Sequence, residues 1–314
     1  MIITNTTKLP KVFERLAEKV LNNHPDMKGN EFSVTELLKG TKEIILNRRH
    51  KDEIVVDVQE LFNLLMGVAM HKMLEEEAKE IGEMQDLSEE RFYTNLGEWD
   101  KELEGYTLSG SPDYYVGEDK ALWDYKTSKV AQYDKNTTLK DKEWLKQLEA
   151  YTLMLRAKGY EVKHARNVAM LKDHSFIRAG INGHPDYPIN IIDYSNFINE
   201  EEVFEILKSE YVAKAKEVIK AMQLEDDDIP PCTAEERWAE SDWAIMKKGK
   251  ERAVRANLSS KEEAEQVLEG VKDKTDCYIQ YREGKSTKCE KYCQCKHFCN
   301  FWKEHFGGIN EQTH

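Results

Sequence analysis

Three side chains in the stretch 110–129, GSPDYYVGEDKALWDYKTSK, are an unusual choice for a structural segment. Two apolar runs, residues 106–116 and 121–127, flank the turn-like Gly117-Glu118-Asp119-Lys120, a pattern that predicts a β-hairpin. Side chains two apart on a strand share a face, so Asp124 and Lys126 project together while Trp123 and Tyr125 point the other way. Asp113 can reach the same spot from the neighbouring strand. Two carboxylates repel one another, and both they and a lysine resist burial. A hard divalent cation, Mg²⁺ or Mn²⁺, resolves that conflict, and leaves the lysine to act on a water or a phosphate oxygen. A hairpin with a solvated polar face and a salt bridge is the plainer alternative.

Other residues repeat the theme. In a long helical pattern over residues 57–82, His71 and Glu75 lie four apart on one face, and Gly67, one turn earlier, would permit a close approach. A surface His–Glu pair accounts for them equally well. In a second helical pattern, 141–158, Gln147 and Tyr151 are also four apart. They are either a surface glutamine beside a core tyrosine, or a pair that contacts a nucleic-acid backbone or orients the metal site. All six cysteines fall in the last third, and Cys289, Cys293, Cys295 and Cys299 lie within eleven residues. Disulfide frameworks spread through a chain, so the crowding predicts a metal site in a reducing compartment.

The elements that must hold these residues follow in order. Helices are expected over 8–23, over 33–49 (opened by the capping box Ser33-x-x-Glu36 and ended by Arg48-Arg49-His50-Lys51), and over 57–82. A strand over 91–99 precedes the hairpin, and a polar loop over 129–140 leads to the helix at 141–158. Strands at 162–171 and 189–194 and a charged helix at 200–223 complete a mixed sheet with packed helices. Glu225-Asp226-Asp227-Asp228 reads as a solvated acidic linker. A short hairpin over 243–258, a helix over 259–269 and a strand over 277–282 follow. Near that hairpin cluster Lys247, Lys248, Lys250, Arg252 and Arg255, with Trp238 and Trp243 close by. That cluster suits a phosphate-tracking groove or a lysine-protected sheet edge.

The chain has 314 residues, 46 basic and 59 acidic, for a net charge of −13. That length suits one large domain or two smaller ones. A mean hydropathy of −0.72, no run near the ~18 apolar residues of a membrane span, and no basic-then-apolar leader predict a cytoplasmic protein without a membrane partner. The acidic balance argues against a general nucleic-acid coat protein, but not against an enzyme with a local basic groove.

The ordered set GVAMHKMLE, SPD, DYK and QLEAY resembles the PD-(D/E)XK nuclease superfamily, and within it the RecB-like branch, whose members include AddB-type, CRISPR-associated and bacteriophage exonucleases. That branch carries GxxxHxxxE, PD, (D/E)xK and QxxxY in this order. The likeness covers roughly residues 33–195. It implies an α/β fold with a restriction-endonuclease-like mixed β-sheet flanked by helices and a cysteine-rich C-terminal extension. It divides the chain into a nuclease core with N-terminal helices, 1–228, and a C-terminal region, 229–314, whose small α/β element and cysteine site pack back on the core. It implies a metal-dependent DNA nuclease, foremost an exonuclease in recombination or processing, in a bacterial or phage-infected cell. DNA ends, single- or double-stranded, would be the substrate, with a recombinase or single-strand-binding protein as a further partner. A structure-specific endonuclease, or a non-cleaving nucleic-acid-binding factor on a nuclease scaffold, are the alternatives.

The resemblance assigns roles by position. His71, Asp113, Asp124 and the carbonyl of Tyr125 would hold Mg²⁺ or Mn²⁺, and Lys126 would orient the attacking water and stabilise developing charge. Gln147 and Tyr151 would hold DNA phosphates or the lysine, and Glu75 would support His71. Branch members with a [4Fe–4S] cluster use one cysteine before the histidine motif and three at the C-terminus. Here Cys289, Cys293 and Cys299 match the latter three approximately, while the upstream position reads Leu38-Lys39-Gly40-Thr41-Lys42. The fourth ligand would be Cys232, with Cys295 in reserve and Cys277 less favoured. Zinc is the alternative metal.

Overall fold

The computed structural model describes residues 1–22, 29–83, 85–130, 133, 139–198, 201–239 and 241–307, without the side chains of 22, 139–142 and 182. Most of the loop expected over 129–140 lies outside the described residues. The chain divides into two compact units, Met1–Leu38 with Asp52–Lys220, and Lys39–Lys51 with Ala221–His314. The division thus falls at 220 and not at 228, and residues 39–51 belong with the C-terminal unit. Among the described residues, no helix is long and apolar enough to cross a membrane.

In chain order, the first unit opens with β1 (Ile2–Thr4), α1 (Lys11–Asn22), β2 (Glu31–Ser33) and α2 (Val34–Leu37). Ser33 caps α2, its hydroxyl accepting from the Glu36 N–H at 3.1 Å as the capping box predicts. The helix then stops, and α3 (Thr41–Arg49) starts afresh from Gly40 in extended conformation. A single helix over 33–49 is therefore not formed. Next come β3 (Val55–Asp57), parallel to β1, and α4 (Phe62–Ile81), which starts five residues later than its periodicity suggests.

β4 (Leu87–Ser88), β5 (Phe92–Asn95) and β6 (Thr107–Gly110) lead to β7 (Tyr114–Val116) and β8 (Ala121–Ser128). β7 and β8 form the expected antiparallel hairpin. The run 106–116 is two strands in different sheets, however: β6 lies between β2 and β5, while β7 pairs with β8 and β4. Pro112 lacks an N–H and restricts Ser111, so the ladder breaks there, and Asp113 sits at the break. α5 (Leu139–Ala157), β9 (His164–Leu171), β10 (Ile189–Asp193) and α6 (Glu201–Ala221) follow. The five-stranded sheet runs β10-β9-β8-β7-β4, parallel only between β8 and β9. β8 is its middle strand, and both α4 and α5 pack on it. The fold is mixed α/β.

The second unit contains α3, β11 (Asp242–Lys247), β12 (Arg255–Leu258), α7 (Lys261–Glu269), β13 (Cys277–Arg282), α8 (Thr287–Lys291) and α9 (Asn300–Phe306). Its sheet runs β12-β11-β13, and Ile245, Leu258 and Ala264 form a small core there. The acidic run 225–228 is not a free linker: Asp226 pairs with Arg49 at 2.6 Å and His50 at 2.6 Å. Arg49 also donates to the carbonyls of Met222 and Leu224, at 2.9 and 2.8 Å. The basic end of α3 thus clamps the turn after α6. Lys42, 1% exposed, donates to Ile229 O at 2.8 Å and Asn300 Oδ1 at 2.7 Å.

Candidate active site and cysteine centre

Strand alternation on β8 does what the sequence predicts. The Lys126 ammonium and the Asp124 carboxylate form an ion pair on one face. Gln147, from α5, accepts from Lys126 Nζ at 2.6 Å. A lysine only donates, so the amide oxygen must face it, and the amide nitrogen is fixed in the other direction. That nitrogen donates to Asp124 Oδ1 at 3.2 Å and to the Tyr151 hydroxyl at 2.9 Å. Tyr151 is 4% exposed, so its ring belongs to the core and its hydroxyl orients Gln147. Of the two roles foreseen for Gln147 and Tyr151, holding the lysine is the one the geometry serves.

Asp113 joins this group to α4. One carboxylate oxygen accepts from the Tyr125 N–H, and the other lies 3.5 Å from His71 Nδ1. The ring of Tyr125 meets His71 edge-on, with centroids 5.9 Å apart. Glu75 bonds Lys79 instead of supporting His71. Gly67 is not needed for a close approach, since a Cβ there would stand 3.9 Å from Thr127 Oγ1, an ordinary contact.

Glu89, which no sequence pattern singles out, completes the group. It follows β4, and ligand atoms of His71, Glu89 and Asp113 all lie within 4.8 Å of one another. Glu89 accepts from Ser111 Oγ at 3.2 Å. No motif surrounds it in the sequence; only the pairing of β4 with β7 brings it beside Asp113.

The electrostatics mark the site as short of positive charge. Burial, then the charge of Asp113, push Glu89 up to about 7, against the pull of Ser111 and His71. Burial pushes Asp124, 1% exposed, up to about 6 despite Lys126. For His71, burial works downward, but the hydrogen bond and charge of Asp113 outweigh it and its pKa rises. Oxygen donors with one imidazole are a donor set that fits Mg²⁺ or Mn²⁺.

The second concentration of chemistry lies in the C-terminal unit. Cys289 is on α8, Cys299 precedes α9, and Cys293 and Cys295 lie between, their sulfurs 3.5 Å apart. Cys232 joins them from the turn after Ile229. It is seated on Gly40, where any Cβ would overlap its sulfur. The thiols influence one another: burial pushes Cys232 up to about 12 and Cys289 up to about 11, with a further push from Cys293 in both cases. Cys277 is apart from them, on β13, packed against the Ile245–Leu258–Ala264 core. Among the described residues only the Cys293 and Cys295 sulfurs are in contact, and no three cysteine sulfurs lie within 4.8 Å of one another.

The chain matches no protein-family model and no curated protein sequence. A solved structure described as "Crystal structure of SSO0001" is similar over 67% of this chain and 86% of its own, at 19% identity and a TM-score of 0.46. A likeness at that level bears on neither function nor mechanism.

Proposed function

We propose that the protein is a metal-dependent DNA nuclease, foremost an exonuclease acting on DNA ends. The observation that carries the reading is Lys126, held between Asp124 and Gln147 beside the Asp113–His71 pair. A bound Mg²⁺ or Mn²⁺ would polarise a phosphoryl oxygen and lower the pKa of a water, with His71, Asp113, Asp124 and the Tyr125 carbonyl as its holders.

The chain's own residues do the rest. Lys126 has three N–H donors, and Asp124 and Gln147 engage two, which leaves one for a phosphate oxygen. Preorganised charge of this kind stabilises a phosphorane-like transition state without reorganising during reaction. Asp113 is fixed at both oxygens, by the Tyr125 N–H and by His71, so it presents a set geometry. Hydrolysis consumes one water: its oxygen bonds to phosphorus, the P–O ester bond breaks, and a proton reaches the departing oxygen.

The cysteine centre is read as a [4Fe–4S] cluster held by Cys232, Cys289, Cys293 and Cys299. One observation favours zinc as a second reading. The 3.5 Å between Cys293 and Cys295 is near the edge of a tetrahedron with metal–sulfur bonds of about 2.3 Å. Metal analysis and visible absorption of anaerobically purified protein separate the two.

The decisive experiment is cleavage of end-labelled single- and double-stranded DNA with Mn²⁺, Mg²⁺ or EDTA, alongside Lys126→Ala. Metal-dependent degradation lost in the variant supports the reading. A net charge of −13 favours, as a second reading, a non-cleaving factor on the same scaffold. DNA binding with no cleavage by metal-replete protein would establish it instead.

A further inference from the structure

Asp113 has neighbours on two sides. Towards β8 are Asp124 and Lys126, and both Asp124 oxygens are engaged, one by Lys126 and one by Gln147. On the other side, His71 and Glu89 converge on Asp113 with ligand atoms within 4.8 Å. The backbone is built to keep Glu89 there. Its φ of 52° is in the left-handed region, which a residue with a Cβ seldom adopts. Its N–H donates to the Asp113 carbonyl at 3.3 Å, and Ser111 Oγ donates to its carboxylate at 3.2 Å. A buried carboxylate, a half-buried one and a half-buried imidazole are thus gathered by three separate segments: α4, the turn after β4, and the break before β7.

We propose that Glu89 is a divalent-cation ligand, forming with His71 and Asp113 a three-donor site in which Asp113 is shared with the Asp124 side. The inference rests on the cation-site reading above and does not depend on cleavage. A set of two carboxylates and one imidazole takes a borderline cation such as Mn²⁺ in preference to Mg²⁺, since Mg²⁺ favours oxygen alone and binds nitrogen poorly. Glu89, an oxygen donor, therefore sets affinity, while the nitrogen of His71 sets the preference for Mn²⁺.

The test is Mn²⁺ and Mg²⁺ binding to the full-length, chelator-treated protein by titration calorimetry, with the electron paramagnetic resonance of free Mn²⁺ as a second readout. Loss of even an outer partner of a ligand weakens metal binding roughly 10–100-fold. Glu89→Gln should therefore weaken Mn²⁺ by at least that factor, and Mg²⁺ as well. Should Glu89→Gln fail to fold, Glu89→Asp keeps the charge, shortens its reach, and should still weaken Mn²⁺. Native Mn²⁺ affinity in both folded variants, with Asp113→Asn impaired, would overturn the role of Glu89 and leave the nuclease reading standing. Weakened Mn²⁺ in the variants of a protein that cleaves no DNA would uphold Glu89 and remove the nuclease reading. A wild-type protein that binds neither cation would overturn both.

Discussion

Gln147 Oε1 lies 2.6 Å from Lys126 Nζ, while the nitrogen of the same amide reaches Asp124 and Tyr151. One side chain therefore holds both members of the ion pair and is itself held by a core phenol. Without it, the ammonium can swing towards solvent, because only the Asp124 bond remains.

That relationship predicts a graded series. Removing a preorganised donor of transition-state charge typically costs about 10²–10³ in rate. Lys126→Ala should lose at least that much. Gln147→Leu keeps the volume but loses both hydrogen-bonding ends, and should lose roughly 10-fold or more, because it disorders the donor without removing it. Tyr151→Phe removes only the outermost bond and should lose less again. DNA affinity should hardly change for Tyr151→Phe, since the ring is buried. Single-turnover rates set against binding constants check the series. A large rise in the DNA dissociation constant for Tyr151→Phe would restore the phosphate-contact role.

At the cysteine centre, Gly40 and Cys232 make a spatial exchange. Gly40 has an ordinary φ of −65°, so its backbone accepts any side chain and only space forbids one. Cys232 sulfur fills that space. Gly40→Ala should displace Cys232 and lower bound metal per chain, as should Cys232→Ala. The double variant Gly40→Cys/Cys232→Ala puts a thiol back from the other side, and should regain metal relative to Cys232→Ala. Metal content and absorption, measured on folded protein, are the readouts. Full metal content in Cys232→Ala together with loss in Cys295→Ala would make Cys295 the fourth ligand.

How far the sequence could be read depended on whether a residue's role was local. Asp124 and Lys126 were legible because strand alternation fixes their shared face, and Gln147 and Tyr151 because helical spacing does. Gly117–Lys120 gave the hairpin for the same reason. The split of 106–116 between two sheets was partly signalled by Pro112, but which partner each half would choose depends on β2, β4 and β5, distant in sequence. Glu89 had no local signal. It enters the site through the β4–β7 pairing and a left-handed turn at a non-glycine residue. Asp226 looked like part of a solvated run because its partners, Arg49 and His50, are some 176 residues away.

Lys42 offers a stability test in the C-terminal unit. Its ammonium is fully buried and satisfied by two neutral oxygens, Ile229 O and Asn300 Oδ1. Lys42→Ala leaves both acceptors in a space water must fill, and each unsatisfied buried group costs roughly 1–3 kcal/mol. The variant should unfold at markedly lower denaturant. Because Ile229 precedes Cys232 by three residues, metal retention should fall with it. Unchanged stability would mean that water replaces the ammonium without loss.

The pH dependence of stability can be isolated at Glu149, away from any proposed metal ligand. This α5 side chain is 6% exposed, and burial, then the charge of Glu210, raise its pKa from 4.5 to about 7, against the pull of Lys146. In the unfolded chain it titrates near 4.5, so between 4.5 and 7 the folded state holds the extra proton. Stability then falls with rising pH across that window, and the contribution present below the unfolded value is lost as pH passes through the folded one. Glutamine cannot ionise. Glu149→Gln should therefore melt close to wild type at pH ~5 and above it at pH ~8, each kcal/mol regained being worth roughly 2–4 °C in a unit of this size. Asp124 and Glu89, also raised, slope the same way but are common to both proteins and cancel in the difference. Scans with chelator present keep cations out of the comparison. A difference between the two proteins that is constant from pH 5 to 8 would show that Glu149 is hydrated and titrates normally.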